Sequence, residues 1–218
     1  MTTIDKIPYT DYVSENELNR ILQSPAVKKF VKTSDNSAST ISNIFGETLL
    51  RVLQLWTVES KKTYIEAITA FLPVIDVIKN DYPEIFVLDT NKYSSLYRGT
   101  NLDSNKLKSF IETTNKTNWK PVKLKNGLTF MVYFDKQFTY NPHRKMQSWS
   151  TNNDRAAEFG EAIVIVDTKK GKYLMNPDYF HNISKQQDNE FETINIGSNL
   201  KVWVGIEKAW FEDLIKNN

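Results

Sequence analysis

Lys120-Pro121-Val122-Lys123-Leu124-Lys125-Asn126-Gly127-Leu128-Thr129-Phe130-Met131-Val132-Tyr133-Phe134 reads as two β-rich runs about an Asn-Gly pair. Asn-Gly supplies the two positive-φ positions of a tight hairpin turn, so the stretch predicts paired strands at 120–125 and 129–134. The pattern repeats outward from there. Ala162–Asp167 is an unbroken apolar run, as expected of a buried strand. Glu192–Ile196 and Leu200–Ile206 predict two more strands, and Tyr93–Arg98 another upstream. One short helix is expected at Ser104–Glu112. Short strands joined by turns point to a mixed or antiparallel β-sandwich, or a barrel-like core.

Upstream of residue 88 the apolar period changes to helical. Ser14 and Glu17 form a capping box ahead of Leu18, Ile21 and Leu22. Ser24-Pro25 opens a second short helix, and Ser34–Ser39 is small and polar, as loops are. Ile41, Phe45, Leu49, Val52 and Trp56 then recur at helical spacing. A further helix is expected from Thr63 to Lys79, bent at Pro73. The sequence therefore predicts an α+β chain, with a helical region at 1–88 packed on a β core at 89–218.

The chain has 218 residues, 28 of them basic and 26 acidic, for a net charge of +2. That balance argues against a strong overall electrostatic grip on nucleic acid, though not against a local basic patch. There is no cysteine, which excludes disulfides and thiolate metal sites. It also suits a reducing cytoplasm, the expected location. The apolar stretch Ala67–Ile78 is too short and too polar to cross a bilayer, and no membrane association is expected. Seven glycines, at 46, 99, 127, 160, 171, 197 and 205, make neither a dinucleotide-binding G-x-G-x-x-G nor a Walker loop. His143 and His181 lack metal-ligand spacing, so no metal is expected.

Three segments carry possible chemistry. In Ser95-Leu96-Tyr97-Arg98-Gly99-Thr100, a guanidinium at the end of an apolar strand must find an anion. That anion is either a phosphate, held by a bidentate fork, or a neighbouring acid in a salt bridge. Gly99 would let a flat ligand approach the backbone. In Ser148-Trp149-Ser150-Thr151 the hydroxyls can orient a carboxylate or a ribose. The Asn152–Phe159 stretch after it reads as a helix capped by Asn153 or Asp154, with Ala157 and Phe159 inward. In Glu190-Phe191-Glu192, side chains two apart on a strand share a face, so two carboxylates would stand together. Such a pair is either a catalytic couple or a solvated acidic strand end.

Taken in order, these segments resemble the R-S-E signature of the arginine-type mono-ADP-ribosyltransferases. Tyr97-Arg98-Gly99 resembles the first-strand arginine. Ser148-Trp149-Ser150 resembles the S-x-S strand, and Glu190-Phe191-Glu192 resembles E-x-E. The spacings, 50 residues from Arg98 to Ser148 and 44 from Ser148 to Glu192, fit the same pattern. The run after Glu192 departs from it, with a polar Asn195 and no proline before Gly197. The similarity covers residues 93 to 206. Among family members, the compact cysteine-free chain looks most like the small transferases of T-even-type phages, and an injected bacterial effector would look the same.

The resemblance implies an ADP-ribosyltransferase core that binds NAD as co-substrate and acts as a monomer. Arg98 would hold the NAD phosphate, Gly99 the nicotinamide amide, and Ser148 and Ser150 would line the cofactor site. Glu192 would stabilise the oxocarbenium-like ribose, with Ser148 holding it. Glu190 would serve the incoming nucleophile. Tyr179 and Phe180, in the loop before E-x-E, are acceptor-contacting aromatics or core residues. The acceptor expected first is a protein arginine, with RNA as the other choice. Simple NAD hydrolysis and a non-catalytic interaction protein are the competing functions.

Overall fold

The computed structural model describes residues 2–31, 39–58, 61–141, 146–184, 192–196 and 199–216. The chain divides into two compact units, Met1–Val87 and Leu88–Asn218. Among the described residues, no helix is long and apolar enough to cross a membrane.

The first unit is helical: α1 (Glu15–Leu22), α2 (Pro25–Lys28), α3 (Ile41–Val58), α4 (Lys62–Ile78) and α5 (Pro83–Phe86). Ser14 caps α1, its side chain accepting from the Glu17 amide, and Pro25 stands in the first turn of α2. The helical spacing of Phe45, Leu49, Val52 and Trp56 sets a fully buried stripe on α3. Phe45 packs edge-on against Phe71 of α4 at 4.9 Å and lies tilted against Tyr9 at 4.8 Å. The helix α4 runs through Pro73 and does not end there.

The second unit opens with β1 (Ser95–Thr100) and α6 (Ser104–Glu112). The hairpin follows as β2 (Lys120–Lys123) and β3 (Thr129–Tyr140), then β4 (Met146–Ser150) and the short α7 (Asn153–Ala156). Next come β5 (Ala162–Asp167), β6 (Tyr173–Leu174), α8 (Pro177–Ser184), β7 (Glu192–Ile196), β8 (Leu200–Glu207) and α9 (Lys208–Lys216). The hairpin is in register from Lys120↔Val132 to Lys123↔Thr129, with Gly127 at φ 91° in its turn. The strands join in the order β2-β3-β8-β5-β1-β4-β7-β6.

Of the two expected forms, mixed or antiparallel, the sheet takes the second: every ladder among the described residues is antiparallel. It differs from the expected sandwich in one respect. The eight strands form one hydrogen-bonded sheet, because β1 pairs with β5 on one side and β4 on the other.

Alternation along β1 and β5 sends Leu96, Val164 and Val166 to one face, where they meet Leu107, Phe110 and Ile111 of α6 and Phe211 and Leu214 of α9. Burying each of the α6 side chains stabilises the unit by roughly 1.5–3 kcal/mol. Ile163 and Ile165 point to the other face, with Phe130, Val132, Leu124 and Ala157. That second face is more thinly covered, since α7 is a single turn.

One polar tie fixes the lead-in to β1. Asp178, in the first turn of α8, accepts from Lys92 Nζ and from the Tyr93 hydroxyl, each at 2.6 Å. Burial pushes the Asp178 carboxyl up, but the bonds from Lys92 and Tyr93 outweigh it and hold the group below the usual carboxylate value. A lowered carboxyl stabilises the fold above its unfolded pKa, and that stabilisation is lost as pH falls through the folded value. Because the pair is half exposed, Asp178→Asn is expected to cost only about 0.5–1.5 kcal/mol at neutral pH. The difference from wild type should shrink below about pH 4. Thermal unfolding across pH checks this; a difference that is constant down to pH 2 contradicts it.

Candidate active site

Arg98, Ser148 and Glu192 lie on β1, β4 and β7, which are consecutive neighbours in the sheet. Three segments far apart in sequence thus meet at one end of the sheet. On β7, Glu192 is the register partner of Ser150, and Ile194 is the partner of Ser148.

The join between β1 and β4 is unusual. These two strands share a single partner pair, Tyr97↔Ser150, whereas β1 and β5 share six and β4 and β7 five. From Arg98 to Thr100 on one strand, and from Met146 to Trp149 on the other, the ladder is open. Backbone groups facing such a gap have lost their sheet partners. The Arg98 guanidinium bridges it: Nη1 donates to the Ser148 carbonyl at 2.6 Å.

The bridge leaves binding capacity unused. Among the described residues, Arg98 Nε is buried without a hydrogen-bond partner, and so is Ser148 Oγ. Among the described residues no carboxylate pairs with Arg98. A buried polar atom left unpaired costs about 1–3 kcal/mol, and these two lie on either side of the same open junction. A guanidinium with free donors is suited to a phosphate or carboxylate, which it can grip through two parallel bonds. Further along β4, Gln147 Oε1 and Trp149 Nε1 are likewise buried without partners among the described residues. Asn195, the polar departure from the family pattern, is 1% exposed.

Other expected site residues fall differently. Ser150 is buried, and its Oγ accepts from the Asn152 amide at 2.9 Å, closing the turn out of β4. Asn152, not Asn153 or Asp154, caps α7 by accepting from the Asp154 amide. Gly99 does not leave room for a ligand on its Cα side. A Cβ there would stand 1.9 Å from the Ala156 carbonyl oxygen, so the close approach is made by the chain itself. Tyr179 and Phe180 are 1% and 3% exposed and pack edge-on against each other at 5.4 Å. The helical turn of α8 directs both inward, which assigns them to the core and away from an acceptor. Glu190 lies outside the described residues, as does His143. Among the described residues no group of acids and histidines could hold a metal ion.

Phe159 also departs from expectation. Expected inward, it is 58% exposed. The α-helix ends at Ala156 and continues as a 3₁₀ turn over Ala157–Phe159, which rotates the Phe159 side chain off the buried face. Its Cβ would lie 3.0 Å from a Cβ at Gly99, so an exposed ring stands directly beside the open end of β1. The Arg155 guanidinium lies over that ring, 5.3 Å from its centroid, while also pairing with Glu158.

No protein-family model, no curated protein and no solved structure matches this chain.

Proposed function

We propose that the chain is an NAD-dependent mono-ADP-ribosyltransferase that moves ADP-ribose from NAD to an acceptor, first of all a protein arginine, and releases nicotinamide. The observation that carries the reading is the open β1–β4 junction, where Arg98 Nε and Ser148 Oγ are buried without partners among the described residues, beside the strand that begins at Glu192.

In this reading Arg98 binds the pyrophosphate of NAD through its unused donors. The backbone of Gly99, on the stretch of β1 that is laddered to β5 but not to β4, takes the nicotinamide amide. Phe159 offers a flat apolar face next to it. The bond between the ribose C1′ and the nicotinamide nitrogen breaks, and its electron pair leaves with nicotinamide. Positive charge develops on the ribose, and the Glu192 carboxylate stabilises it without reorganising. The Ser148 hydroxyl donates to that carboxylate and orients it. Glu190 accepts the proton lost by the acceptor nitrogen as the new C1′–N bond forms.

The test begins with binding. Arg98→Ala is expected to weaken NAD by about tenfold or more, the worth of one charged hydrogen bond at ~1.5–3 kcal/mol. Calorimetric titration reads this directly. An unchanged dissociation constant in a folded Arg98→Ala protein contradicts the assignment.

A further inference from the structure

The thinly covered face of the sheet holds a cleft of about 270 Å³. Its walls are Tyr97, Phe130, Phe134 and Trp203, with Val122 and Leu124 of the hairpin. Phe134 is 50% exposed, and its ring centroid lies 6.2 Å from that of Trp203. Ser95 and Asn153 also line the cleft. The side chains of Ser95, Tyr97 and Asn153 have no hydrogen-bond partner among the described residues. Tyr97 faces the cleft, whereas alternation sends Arg98 to the opposite face of β1, away from it.

We propose that this cleft binds a nucleobase carried on a phosphate backbone. Three features select that ligand. The volume is below the ~300–1,000 Å³ of sites for drug-sized ligands, so it admits one ring system and not a dinucleotide. Aromatic walls accept the face of a base regardless of its identity, and the unpartnered hydroxyls and amide can meet its edge. One cation stands beside the wall residues on the edge strand: Lys120 is exposed and lies two residues before Val122, on the same face of β2. Lys120 is the register partner of Val132, a residue of the cleft lining, so it stands on the cleft side of β2. An apolar side chain from a protein partner would leave both the polar side chains and Lys120 unused.

The same chemistry could come from a free nucleotide or from a single strand. Calorimetric titration of the whole chain with AMP and with an oligoadenylate of about ten nucleotides separates the two sources. The expected result is binding of the oligonucleotide that weakens as salt rises. Phe134→Ala should lower affinity about tenfold through lost stacking while leaving the melting temperature in place, because that side chain is half exposed. Lys120→Gln should lower the slope of log affinity against log salt by about 0.7, one phosphate contact. Equal binding of AMP and oligonucleotide assigns the cleft to a free nucleotide, and tighter oligonucleotide binding assigns it to a strand. Failure of both to bind overturns the proposal, as does binding that Phe134→Ala and Lys120→Gln leave untouched. A concentration-dependent self-association abolished by Phe134→Ala, without nucleotide binding, overturns it in favour of a protein contact.

Discussion

Glu192→Gln is expected to lower ADP-ribose transfer by at least about a hundredfold, the scale of removing one preorganised electrostatic partner from a charged transition state. NAD affinity should stay close to wild type. A carboxylate aimed at the ribose acts mainly on charge that appears only as the glycosidic bond breaks, so its loss is felt in turnover and not in ground-state binding. The substitution is isosteric, and Glu192 contributes its backbone to the ladder with Ser150, which Gln preserves. The informative form of the experiment is a paired assay of nicotinamide release and acceptor labelling, with Glu190→Gln alongside. Glu192→Gln should lose both signals. Glu190→Gln should lose labelling and keep slow release, because water needs less activation than a guanidinium once the ribose cation forms. Near-wild-type turnover in Glu192→Gln would remove the carboxylate from the mechanism. Equal loss of both signals in Glu190→Gln would give that residue a part in bond cleavage.

The largest effect on stability is expected from Gly99→Ala. The added Cβ would lie 1.9 Å from the Ala156 carbonyl oxygen, an atom of the backbone that cannot rotate away. Gly160 makes the same join from the other side, its Cα lying against the Thr100 backbone with 2.5 Å between a built Cβ and the Thr100 oxygen. Relief therefore requires β1 and α7 to separate, and the cost should exceed the usual overpacking range, at about 3 kcal/mol or more. For a chain of this length that lowers the melting temperature by roughly 6–12 °C. Gly127→Ala provides the contrast. Unlike Gly99 it sits at positive φ, but a Cβ there meets nothing within 4 Å, so its cost should be about 1 kcal/mol of backbone strain. If the two variants melt together, the contact between β1 and α7 is not a constraint on the fold.

Several elements were legible because their signals are local. The hairpin at Asn126-Gly127 needs one residue at positive φ, not the expected two; Gly127 supplies it, and nothing distant competes with that. The helix at Ser104–Glu112 and the strand at Ala162–Asp167 carry periods long enough to distinguish them. The short strand β6, two residues long, could not be read, since its existence depends only on pairing with β7. Phe159 was misread because helical periodicity was extended one turn past the point where the α-helix tightens to a 3₁₀ turn.

By itself the sequence determined the helical first unit, the β-rich second unit and the three segments whose order and spacing resemble a transferase signature. Propensity, capping and alternation act over a few residues, and such signals survive without knowledge of the partner. Only the tertiary structure decided that β1, β4 and β7 are neighbours, that their ladders are antiparallel, and that β1 and β4 part after Tyr97↔Ser150. It also decided that Ser150 closes a turn, that Tyr179 and Phe180 are buried, and that Ser148 Oγ and Arg98 Nε are left without partners among the described residues. Each of these depends on which strand lies beside which. A hydrogen-bond donor is satisfied or orphaned by an atom about fifty residues away, and no local pattern encodes that atom's position.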